Sequence, residues 1–71
     1  MTKLGLFLAQ RLVNKAELAR KTGISQNRIH NLTIVEKSHL KGEELYFICL
    51  ALKIEPNELI QYLYGDKKLI E

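Results

Sequence analysis

Gln26, Asn27, Arg28, His30 and Asn31 place amides, a guanidinium and an imidazole within two helical turns. A side-chain amide donates and accepts at once, as the major-groove edge of adenine requires, and a guanidinium offers guanine two donors. Such a set can read bases in duplex DNA if it stands on the outer face of a helix. Ile29 and Leu32 fall among these residues at helical spacing and turn inward, which leaves Gln26, Asn27, Arg28, His30 and Asn31 outward. Other chemistries find less support. His30 and His39 are nine residues apart and Cys49 lies on a different element, so no spacing matches a zinc site. A set of Ser25, His30 and Asp66 offers no nucleophile, because Ser25 is engaged in a helix cap. A chain of 71 residues also leaves little room for a water-excluding pocket. There is no glycine-rich phosphate loop. The expectation is no enzyme, no metal and no cofactor.

Two short helices must present these residues. Asn14 caps the first, with Glu17 at its third position reaching back, and Gly23 ends it in a left-handed conformation. Ser25 caps the second, predicted over Gln26 to about Thr33, so only Gly23 and Ile24 turn the chain. Helices joined this tightly cross at about 90–120°. Ala19 allows their close approach, and Leu18, Ile24, Ile29 and Leu32 bury the inner angle. One spacing fixes the helix starts independently. An apolar residue before a cap pairs with the fourth residue inside the helix, and Val13/Leu18, Ile24/Ile29, Leu40/Leu45 and Ile54/Leu59 all fit. The caps are then Asn14, Ser25, Lys41 and Glu55, and the third helical positions Glu17, Arg28, Glu44 and Glu58. An acid at that position gains about 0.3–1 kcal/mol from the helix dipole. Only the helix after Ser25 carries arginine there, which leaves its positive pole open to a phosphate.

The remaining chain supplies a scaffold. Residues 3–12 carry Leu4, Phe7, Leu8 and Leu12 at helical spacing, with Gly5 weakening the first turn by about 1 kcal/mol. Ile34 to Leu40 is a connection without glycine or proline. Residues 41–53 form a fourth helix with Leu45, Ile48, Cys49 and Leu52 on one stripe, Cys49 reading as a small buried hydrophobe. Residues 56–64 form a fifth, opened by Pro56 and closed by Gly65. The tail, residues 65–71, has no clear period. With no strand signal, repeat or low-complexity linker, residues 1–71 read as one all-α domain of five short helices. A domain of this size buries only about 60% of the surface its unfolded chain exposes. The single cysteine excludes an intrachain disulfide and fits a reducing, cytoplasmic setting. No apolar run reaches the roughly 18 residues needed to span a bilayer, and the apolar stretch near Leu4 is too short for a signal peptide. Net charge is +3, unevenly spread. From Arg11 to Lys41 seven basic residues face two acids, while from Gly42 onward three face six. The positive charge thus surrounds the paired helices, as a polyanion-binding face requires.

Ala16-Glu17-Leu18-Ala19, Gly23, Ile24-Ser25-Gln26 and Ile29 resemble the phage-repressor (Cro/repressor, XRE-type) helix-turn-helix family. Leu45, Ile48, Ala51-Leu52, Ile54, Pro56 and Glu58-Leu59 match that family's fourth and fifth helices, so the resemblance covers roughly residues 3–64. It implies a five-helix lambda-repressor-like DNA-binding domain with its helix-turn-helix at about 14–33. The implied function is sequence-specific binding of double-stranded DNA by a repressor that occupies its operator. By resemblance, Gln26, Asn27 and Asn31 fall where members touch bases, and Arg28 where contacts go more often to phosphate. We include all four as candidate base readers. Lys15 stands where a glutamine usually bonds phosphate, and Lys15, Ser25, His30, Lys37 and Lys41 are the candidate phosphate contacts. Thr33, Ile34-Val35 and a loop one residue longer depart from the family pattern, leaving open how the third helix ends and where Lys37 and Lys41 point. Phe47 and Leu50 lie off the core stripe of the fourth helix at sites that look polar in the family. With Tyr62, and with Tyr46 and Tyr64 nearby, they form a candidate interface for a homodimer or another regulatory protein. Two alternatives stand beside this reading: the first helix or the tail, through Leu69 and Ile70, covers those residues, or the fold serves as a protein-interaction module such as an antitoxin or antirepressor.

Overall fold

In the computed structural model, which describes residues 1–70, five helices follow in order: α1 (Lys3–Gln10), α2 (Lys15–Thr22), α3 (Gln26–Ile34), α4 (Gly42–Leu52) and α5 (Pro56–Tyr64). No strand occurs among the described residues. α3 packs on α1 and α2, α4 packs on α2 and α5, and α1 closes the ring against α5. The core takes residues from every helix: Leu4, Phe7 and Leu8, then Leu18, Ile29 and Leu32, then Ile48, Cys49, Leu59 and Leu63. Fully burying each large side chain contributes about 1.5–3 kcal/mol. Val13, Ile24, Leu40 and Ile54, the outer halves of the predicted staples, pack along the edge of this core.

The four cap positions named from that spacing are those observed for α2 to α5. Asn14 Oδ1 accepts the Glu17 N–H at 3.0 Å, and Ser25 Oγ accepts the Arg28 N–H at 3.1 Å. At α4 the relation is reversed, with the Lys41 N–H donating to Glu44 Oε1 at 2.9 Å. Glu17 does not reach back to Asn14. Its carboxylate accepts instead from Arg20 Nε, one turn along the same face.

Two expectations for the N-terminal segment are corrected. α1 ends at Gln10, and Leu12 is 90% exposed rather than part of the core stripe. The cause is a tight helix end. The Leu12 N–H donates to the Ala9 carbonyl and the Val13 N–H to the Leu8 carbonyl, with Leu12 left-handed at φ 56°. This turn sends Leu12 out and Val13 in, so Val13 closes α1 and staples α2. Lys53 (φ 58°) and Ile54 repeat the arrangement between α4 and α5, which is why α4 ends at Leu52. Gly5, in turn, does not loosen the first turn. It is buried against α3, where a Cβ would collide with the Thr33 carbonyl oxygen. Thr2 fastens this crossing. Its Oγ accepts the Gly5 N–H at 3.0 Å and donates to the Leu32 carbonyl at 2.7 Å, while its N–H donates to the Thr33 carbonyl at 2.9 Å. α3 therefore ends without a glycine because Thr2 supplies donors for its last carbonyls.

Candidate nucleic-acid interface

α3 is an outer helix with one face closed by Ile29, Leu32 and Thr33. The opposite face is open. Gln26, Asn27, His30 and Asn31 are all exposed, and Asn27 and Asn31, four apart, stand above one another on it. Gln26 and Asn27 lie in the first turn, where backbone N–H groups lack helical partners and the dipole is positive. No acid occurs in that turn. The amides are thus displayed beside a positive pole, on a helix whose other side is anchored in the core.

Arg28 departs from the expected free arginine. Its Nε donates to Glu44 Oε2 at 2.8 Å, and Nη2 donates both to Glu44 Oε1 at 3.0 Å and to the His39 carbonyl at 2.8 Å. A guanidinium grips guanine through one of its two-donor edges. Glu44 holds the Nε/Nη2 edge, and the second Nη2 proton goes to His39. Only Nη1 is left over, so in this conformation the side chain lacks the two-donor edge expected of a base reader. The Arg28 hydrogen bond holds the Glu44 carboxyl below its ordinary value of 4.5, burial acting in the opposite sense, and Glu44 raises the Arg28 guanidinium in return. Glu44 is the buried acid among the described residues, and by sequence it is only the dipole-favouring acid at the third position of its helix. The signal was available. Of the four helix starts marked by the staple spacing, the one without its own acid carries a cation, and its counter-charge is the acid at the equivalent position of the next helix.

The other charges sort by residue type. Between residues 11 and 41 each arginine is paired: Arg11 with Glu58, Arg20 with Glu17, Arg28 with Glu44. Lys15, Lys21, Lys37 and Lys41 have no carboxylate within 4.0 Å among the described residues, while Glu36 faces the amino group of Met1 at 3.5 Å. Lys15 opens α2 and is half-buried. Lys37 and Lys41 are exposed in the α3–α4 loop and at its end. Ser25 is exposed, and its cap bond uses an acceptor lone pair and leaves the hydroxyl proton available.

The candidate partner face is only partly as expected. Tyr46, Phe47 and Leu50 are 53%, 40% and 57% exposed, with the Tyr46 and Phe47 rings 6.1 Å apart. Among the described residues neither α1 nor the tail covers them, and Leu69 and Ile70 are themselves exposed. Tyr62 is half-buried, edge-on to Phe7 at 5.0 Å, and so forms part of the α1–α5 seam rather than of a free apolar face. Cys49 is buried, and desolvation pushes its thiol up. Among the described residues no group of three His, Cys, Asp or Glu is placed to hold a metal ion. No helix there is long and apolar enough to cross a membrane. A family model described as a Cro/C1-type HTH DNA-binding domain matches residues 3–63. No curated protein and no solved structure is significantly similar to the chain.

Proposed function

The chain belongs to the Cro/C1-type helix-turn-helix family of DNA-binding domains, and on that premise we propose that it is a sequence-specific transcriptional repressor acting by operator occupancy. The observation that carries this reading is the open, amide-tipped face of α3, set in a stretch of chain, residues 15–41, whose four lysines lack acidic partners among the described residues. In this reading α3 enters the major groove. Gln26, Asn27 and Asn31 read bases, with adenine edges the natural match for their amides. Lys15, Lys37 and Lys41 neutralise phosphates on either side, and Ser25 and His30 donate to phosphate oxygens nearer the helix. Arg28 acts on phosphate at most, through Nη1. The protein works without catalysis or cofactor, in the cytoplasm. Two copies joined through Phe47 and Leu50 would set their α3 helices about 34 Å apart, so the operator would be roughly palindromic.

The exposed Tyr46, Phe47 and Leu50 favour a second reading, a protein-interaction module such as an antitoxin or antirepressor. A salt titration of duplex binding, followed by fluorescence anisotropy, separates the two. DNA binding through three or four lysine–phosphate contacts should give a slope of about −3 in log K against log salt. No binding to duplex at low salt, together with capture of a protein partner that salt does not release, would replace the first reading by the second.

A further inference from the structure

α3 and α4 share no packed face: each leans on α2, and their other contacts are with α1 and α5 respectively. What spans them is one polar cluster. Glu44, its side chain only 12% exposed, takes two donors from Arg28 and one from the Lys41 N–H, and Arg28 also holds the His39 carbonyl. One carboxylate thereby joins the first turn of α3, the first turn of α4 and the loop between them. That loop carries Lys37 and ends at Lys41, and its other internal ties are the Ser38 N–H and hydroxyl, both donating to the Val35 carbonyl. We propose that Arg28 and Glu44 are a positioning pair that fixes the α3–α4 loop so that Lys37 and Lys41 meet the DNA backbone beside α3. The inference rests on the DNA-binding reading. It makes Glu44, an acid, a residue that strengthens the binding of a polyanion.

This runs against simple electrostatics, and that conflict supplies the test. Removing a negative charge next to a phosphate-binding face should tighten DNA binding if charge alone matters. Glu44→Gln instead should weaken binding about tenfold at 0.1 M salt and reduce the salt slope by about 1–2, as loop lysines lose their register. Arg28→Lys keeps the charge but cannot hold Glu44 with two donors and His39 with a third, so it should behave the same way. The probe is a duplex selected from a random pool by the unaltered protein, with both variants assayed below their melting temperatures. If the pair only stabilised the fold, its loss would lower the melting temperature and leave affinity and slope unchanged in the folded variants, and that result too would overturn the proposal. The free protein provides a second, DNA-independent readout: amide exchange at Lys41 should accelerate at least tenfold in both variants, with Ile29 and Leu32 unaffected. Tighter binding by Glu44→Gln, unchanged binding by Arg28→Lys, or unchanged exchange at Lys41 would each overturn the proposal. Absence of duplex binding by the unaltered protein would remove the DNA-binding reading, and with it the proposal, whatever the exchange rates show.

Discussion

Within α3, neighbouring polar residues stand in different surroundings. Gln26, Asn27 and Asn31 keep exposed amides, the paired donor and acceptor groups that the proposed base reading needs, whereas Arg28 spends donors from both of its two-donor edges inside the chain. The sequence placed all of them on one outward face, since helical period and the Ser25 cap determine which side chains share a side. It could not show that Arg28 turns back. Its partner Glu44 lies sixteen residues away on a helix that α3 does not pack against, and periodicity reports only local neighbours. The pair has a pH signature. Glu44 titrates below its ordinary 4.5 when folded, so its contribution to stability is complete above that value and is lost as pH falls through the lower, folded value. The unaltered protein should therefore melt higher than Glu44→Gln near pH 7. That gap should close on acidification below about pH 4.5, as read by thermal denaturation followed by circular dichroism. A gap that stays constant down to pH 3 would mean that the stability difference is not carried by the ionised carboxylate.

Helix starts were the most legible feature, and helix ends the least. A start is announced by a cap and a staple, both local, and Asn14, Ser25, Lys41 and Glu55 stand where those signals put them. The ends of α1 and α4 use left-handed Leu12 and Lys53, where no glycine marks the turn. α3 ends where Thr2 reaches its carbonyls, a contact thirty-one residues back along the chain that no local rule reveals. Gly5 makes the same point through an opposed prediction. On helix propensity alone, Gly5→Ala should stabilise α1 by about 1 kcal/mol. The collision with the Thr33 carbonyl reverses the sign, because either α1 or the end of α3 must shift, at a cost of about 1–3 kcal/mol. Urea unfolding of Gly5→Ala should thus show a lower midpoint at unchanged slope. A higher midpoint would mean that α1 and α3 do not meet as described.

At the scale of the molecule, every lysine from Lys15 to Lys41 lacks an acidic partner among the described residues, and Tyr46, Phe47 and Leu50 leave a second exposed patch on α4. The charge asymmetry along the chain foretold the first, though it could not distinguish the paired arginines from the lysines. If the trio forms a homodimer, sedimentation equilibrium should give a concentration-dependent mass that Leu50→Asp returns to a monomer; a monomer at every concentration in the unaltered protein would exclude that interface. The central claim, that the open amides of α3 read duplex DNA, is tested most directly by comparing Gln26→Ala/Asn27→Ala with the unaltered protein on two duplexes, one selected and one of random sequence. Loss of a base-reading contact should cost about 1–3 kcal/mol per residue on the selected duplex and little on the random one, narrowing the preference between them by at least tenfold. Equal losses on both duplexes, or no loss on either, would contradict the account.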